Sequence, residues 1–78
     1  MESEKDLLDD INSGSRAAMH RLYERYVGYA MAVALRYIPM RDDAEDVVQD
    51  SFIKVFSGIS KFEYRGEGAL QAWLLRIV

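Results

Sequence analysis

Seventy-eight residues make one small domain at most, and folding at that size buries only about 60% of the surface an unfolded chain exposes. Half of the residues are hydrophobic and 29% are charged, which excludes a disordered chain, and the lack of cysteine excludes disulfide and thiolate–metal frameworks. A net charge of −3, with acids crowded into 2–10 and 42–50, argues against a free-standing nucleic-acid binder, whose affinity comes mainly from neutralising phosphates.

The N-terminal MESEKD is acidic, unlike a basic-then-apolar signal peptide. The longest apolar run, Tyr26 to Leu35, is half of the roughly 20 residues a membrane span needs, so a soluble, cytoplasmic chain is expected. Ser3 to Ile11 reads as a short first helix, capped by Ser3 with Asp6 three residues on, and Asn12-Ser13-Gly14 supplies its stop. Ser15 can cap a long second helix that runs to about Ile38, where Pro39 closes it. Its apolar set is Met19, Leu22, Tyr23, Tyr26, Ala30, Val33, Ala34, Tyr37 and Ile38. From Tyr26 onward it is apolar nearly all round, the mark of a helix packed on several sides. Gly28, costly inside a helix, then implies close approach of a neighbour, and the tyrosines read as core residues with hydroxyls at the rim.

A third helix spans Arg41 to Ile59, with Asp42 as expected cap and Glu45 completing a capping box. Ala44, Val47, Val48, Phe52, Val55, Phe56 and Ile59 form its core stripe. At about 100° per residue this leaves Asp46, Gln49, Asp50 and Ile53 together on the opposite face. One aliphatic side chain inside a carboxylate–amide–carboxylate cluster suits a docking surface. A surface helix with a stray isoleucine fits the same spacing.

Ser60 to Gly68 is a connector in which Lys61, Phe62, Tyr64 and Arg65 interleave cations with aromatics, a combination suited to unpaired bases. An ordinary loop with Phe62 tucked into the core is the alternative. Ala69 begins a fourth helix with Leu70, Trp73, Leu74 and Ile77 on one face and no stop signal before Val78. This points to a piece of a longer protein, with Leu74, Ile77 and Val78 partly unpaired and prone to self-association. Neither metal nor cofactor is expected: there is no Gly-rich phosphate loop, His20 is the only histidine, and DDAED lacks the glycine of a calcium loop. The serines have no base partner, so an enzyme is not expected.

Four stretches, in order and spacing, carry a family resemblance: RYIP (36–39), DAEDVVQDSFIKVF (43–56), KF-x-Y-R-G (61–66) and AWLLRI (72–77), with LYERY (22–26) as a weaker match. The chain resembles region 2 of the sigma-70 family of bacterial transcription initiation factors, and within it the extracytoplasmic-function (ECF) group. The resemblance implies an all-α bundle of about four helices over residues 1–78. It implies docking of Asp46, Gln49, Asp50, Ile53 and Phe56 on a coiled coil in the clamp of the RNA polymerase beta-prime subunit. It also implies contacts of Lys61, Phe62, Tyr64, Arg65, Trp73 and Arg76 with the promoter −10 element, made only within the holoenzyme. Phe62 and Trp73 then either meet DNA or shape the site from the core. The stretch beyond the middle of the fourth helix and the family's region 4 are not in this sequence. An anti-sigma factor is a further implied partner, and a helical interaction module bound by such a regulator, without a DNA role, is the competing reading.

Overall fold

In the computed structural model, which describes residues 2–78, four α-helices follow one another: α1 (Glu4–Asn12), α2 (Arg16–Tyr37), α3 (Arg41–Gly58) and α4 (Ala69–Ile77). A 3₁₀ turn, Ile59–Lys61, extends α3, and there is no strand among the described residues. The first two helix starts are the expected ones. Ser3 Oγ accepts the Asp6 N–H at 3.1 Å and Ser15 Oγ accepts the Ala18 N–H at 3.0 Å, caps worth about 1 kcal/mol each. Between them Gly14 takes φ +97, a left-handed turn that glycine adopts without steric cost.

Each helix turns one apolar face to a common core: Leu7, Leu8 and Ile11 from α1; Ala18, Leu22, Tyr26, Ala30 and Ala34 from α2; Ala44, Val48, Phe52 and Val55 from α3; Leu70 and Leu74 from α4. Leu74 is fully buried, not unpaired, and Ile77 and Val78 are half-buried. The expectation of partly unpaired apolar residues at the end of α4 therefore fails for Leu74, which packs into the core, and holds for Ile77 and Val78, which stay partly open.

Three further expectations are corrected. Asp42 does not cap α3: the helix starts two residues earlier than that cap requires, with extended Met40 (φ −79, ψ 119) as N-cap and no side-chain cap bond. Met40 C=O accepts the Ala44 N–H at 3.0 Å, so the chain becomes helical directly after the extended segment at Pro39. Asp42 and Asp43 lie instead in the first turn, where carboxylates complement the helix dipole, and Glu45 pairs with Arg41 at 3.3 Å.

The apolar second half of α2 is not enclosed. Tyr37 is 82% and Tyr29 55% exposed, and Ala32 and Leu35 also face outward. The cause is length. At about 1.5 Å per residue a 22-residue helix runs some 33 Å, whereas nine-residue α1 and α4 cover about 13 Å each. Tyr23 matches the core-and-rim reading; Tyr26 is core throughout, its hydroxyl buried as well, and Tyr29 and Tyr37 are exposed. Gly28 faces open space, with no heavy atom within 4 Å of the position a Cβ would take. No neighbouring helix approaches it.

Candidate functional site

Two surfaces carry the residues singled out by the sequence. The first is the outer side of α3. Ala44, Val48, Ser51, Phe52 and Val55 point inward, so Asp46, Gln49, Asp50 and Ile53 emerge together, all exposed. Ile53 keeps 64% of its surface in water. Among the described residues neither the Asp46 nor the Asp50 carboxylate meets a cation, whereas Glu45, immediately before Asp46, is paired with Arg41. Gln49 is less free: its Nε2 donates to the Tyr23 hydroxyl at a long 3.5 Å. Phe56 is half-buried, its ring 6.2 Å from Phe52, which in turn tilts against Tyr23 at 4.9 Å. It joins the outer face to the core. Ser51 and Ser57 satisfy their hydroxyls within the helix, donating to the carbonyls of Val47 (2.7 Å) and Ile53 (2.9 Å).

The second surface is the connector with α4. The rings of Phe62 and Trp73 stack with centroids 4.8 Å apart and planes at 30°. The far edge of the indole lies over the end of α3, where a Cβ on Gly58 would stand 3.5 Å from Cζ2. Phe62 and Trp73 are both half-buried and packed against the core, so they form the floor of an open groove of about 500 Å³. Lys61, Arg65 and Arg76 stand around it, all exposed. Arg65 is held only by a solvent-facing pair to Glu63 at 3.3 Å, worth little in stability. Five of the six residues marked for the −10 element thus meet at one groove. Tyr64 does not: its hydroxyl donates to Glu67 at 3.3 Å, away from the groove lining. Burial, then the adjacent Glu67 carboxylate, raise its phenol pKa above the ordinary value. Gly66 (φ +127) and Gly68 (φ +89) take the left-handed conformations that turn the chain into α4.

One residue of this region is absent from the sequence reading. Glu4, 2% exposed, lies beneath the first turn of α4. Its Oε1 accepts the N–H groups of Gly68 (2.8 Å) and Leu70 (3.3 Å), and its Oε2 accepts the Gln71 N–H (3.2 Å) and the Tyr26 hydroxyl (3.0 Å). Burial and this bond to a carboxylate push the Tyr26 phenol far above its ordinary ionisation range. In the sequence Glu4 is one of several acids in a polar N-terminal run. The one available signal is indirect: Gly68, at the N-cap of α4, has no side chain with which to cap it. Nearby, Arg21 straps α1 to α2, bonding Glu2 at 3.0 and 3.2 Å and Asp10 at 3.1 Å, while Arg25 donates to the Glu2 carbonyl at 2.8 Å.

Comparison with known proteins agrees with the resemblance. The Sigma-70 region 2 family model matches residues 22–78. An ECF RNA polymerase sigma-E factor of Haemophilus influenzae is 37% identical over 75 residues, covering 96% of this chain and 38% of that protein. The proteins of the same description from Salmonella typhimurium and Escherichia coli are 37% and 35% identical over 71 residues, each covering 91% of this chain and 36% of the relative. The chain thus spans well under half the length of these relatives.

Proposed function

The chain belongs to the sigma-70 region 2 family, and on that footing we propose that it acts in bacterial transcription initiation as the polymerase-docking, promoter-opening domain of an ECF-type sigma factor. The outer face of α3 seats on the clamp coiled coil of the beta-prime subunit. The groove between the connector and α4 meets the −10 element once polymerase is bound. The observation that carries the reading is Ile53, 64% exposed one turn beyond Asp50, on a face whose two carboxylates, Asp46 and Asp50, meet no cation among the described residues. Such a patch suits a basic helical surface: Asp46 and Asp50 can accept charge-assisted bonds from arginines while Ile53, one turn further along, is desolvated beside them. Phe56, at the edge, ties that face to the core.

The DNA role follows from the second surface. Lys61, Arg65 and Arg76 offer backbone cations around an aromatic floor, the arrangement that holds unpaired bases. Phe62 and Trp73 stack on each other and shape the site from below. The net charge of −3 makes this a contact that polymerase must complete, since the domain alone cannot neutralise enough phosphates. The chemistry of RNA synthesis belongs to the polymerase; this chain supplies binding surfaces, in the bacterial cytoplasm where that polymerase works. An interaction module held only by an anti-sigma regulator would use the α3 face equally well, but has no need of a cationic groove around stacked rings.

Asp50→Arg separates the readings experimentally. It is expected to weaken binding to the beta-prime coiled coil at least tenfold by placing a cation against a basic surface, with far-ultraviolet circular dichroism unchanged. Unchanged affinity would remove α3 as the docking face. Binding of the chain by itself to duplex DNA at sub-micromolar concentration and moderate salt would overturn the dependence on polymerase.

A further inference from the structure

We propose that Glu4 is a positioning residue for the DNA-facing groove: through α1 it fixes the first turn of α4, and with it Trp73 and Arg76, in the register that groove requires. The inference rests on the reading of that groove as the −10 contact.

A helix N-terminus leaves backbone N–H groups without partners, and a side-chain oxygen at the N-cap usually takes one or two of them. Gly68 occupies that position in α4 and has none to offer. Glu4 does the work from 64 residues away, accepting from Gly68, Leu70 and Gln71. With the Tyr26 hydroxyl as fourth donor, both carboxylate oxygens are saturated. The negative charge also sits at the positive end of the α4 dipole.

What makes this bond set positional is how few directional contacts to other helices the region has. Every other hydrogen bond between Ile59 and Val78 is local: Phe62 to Ile59, Ala69 to Gly66, Tyr64 to Glu67, Arg65 to Glu63, and the turns of α4 itself. Among the described residues, the three N–H bonds to Glu4 are the only hydrogen bonds that tie the connector and α4 to another helix. Leu70 and Leu74, with half-buried Trp73, Leu75 and Ile77, hold α4 against the core by burial, which is largely non-directional. Direction comes from Glu4. Trp73 lies one turn beyond Leu70 and Arg76 one turn further, so a shift at the start of α4 carries both with it. The α3 face lies on a different helix and shares no hydrogen bond with Glu4.

The prediction is a split between the two surfaces. Glu4→Gln keeps the shape but turns one accepting oxygen into a donor facing the Gln71 N–H and the Tyr26 hydroxyl. Trp73 is the only tryptophan, so its emission and acrylamide quenching report the stack with Phe62 directly. Glu4→Gln is expected to raise Trp73 quenching. It should leave affinity for the beta-prime coiled coil within twofold. It should also weaken capture of a labelled, randomised single strand of about 12 nucleotides by the chain–core polymerase complex about tenfold. Tyr26→Phe, which removes only the fourth donor, should keep strand affinity. Equal Trp73 quenching and equal strand affinity for Glu4→Gln and the unsubstituted chain would overturn the role of Glu4 alone. Parallel loss of coiled-coil and strand binding would overturn it too, by showing a general loss of fold. Failure of the unsubstituted complex to capture the strand would instead overturn the function assigned to the groove.

Discussion

Ile53→Ala tests the docking face where its energy should be concentrated. In the free domain Ile53 is 64% exposed, so truncation leaves no buried cavity and should cost within about 0.5 kcal/mol of stability. Full burial of such a side chain contributes about 1.5–3 kcal/mol. Roughly two-thirds of that is still available to an interface, or about 1–2 kcal/mol, which corresponds to about a 5- to 30-fold rise in Kd. Fluorescence anisotropy against the isolated beta-prime coiled coil would read the affinity, and a thermal melt of the free chain the stability. Ile53→Glu should be worse, because it adds a third carboxylate and an uncompensated desolvation. Tyr29→Ala is the matched control: a comparably exposed apolar side chain on α2, bordered by Glu24, Arg25, Gly28 and Ala32 of the same helix. The reasoning is refuted if Ile53→Ala binds within twofold of the parent, or if it melts several degrees lower, since the second result would place the side chain in the core.

Other substitutions probe the fold that carries these surfaces. Gly28→Ala should raise stability by about 0.5–1 kcal/mol, seen as a higher urea midpoint at constant slope, because the site is helical and open and the unfolded chain loses freedom. A lower midpoint would mean a neighbour does press on that position. Leu22→Ala, at a fully buried site, should cost about 2–5 kcal/mol, a large share of the about 5–15 kcal/mol typical of a domain, and a loss under 1 kcal/mol in urea titration would contradict the packing. The hydrogen bond from Arg21 holds the Glu2 carboxyl below its ordinary 4.5. Its folded value is thus below its unfolded one. The stabilisation is present in full above about that pH and is lost as the pH falls through the lower folded value. Arg21→Gln should flatten the acid side of the stability profile, and an unchanged profile would show that the strap between α1 and α2 contributes nothing.

Much of this molecule is written in local pattern. Ser3 and Ser15 announce their helices because a capping oxygen reaches only two or three residues forward. The side of α3 that bears Asp46, Gln49, Asp50 and Ile53 follows from the angle between successive residues, which no neighbour can alter. The misses have a common origin as well. An apolar girdle on α2 says that burial is tolerated, not that neighbours exist; α1 and α4 are too short to supply them, so Tyr29 and Tyr37 stay in water. Gly28 implied a close approach that no element makes. Tyr64 shares the aromatic spacing of the connector, yet its ring packs on the core and its hydroxyl bonds Glu67, away from the groove. The Asp42 cap failed by two residues, because the helix begins at Arg41, directly after extended Met40.

By itself, then, the sequence determined the four helices, the outward side of α3 and the family. These are properties of 3.6-residue periodicity and of motifs read in order along one strand of chain. Only the tertiary structure decided which apolar faces are covered, that Phe62 and Trp73 stack as the floor of a cationic groove, and that Glu4 caps a helix beginning 65 residues further on. Coverage depends on the lengths of the elements available to pack. A hydrogen bond between distant segments leaves no periodic trace in either of them.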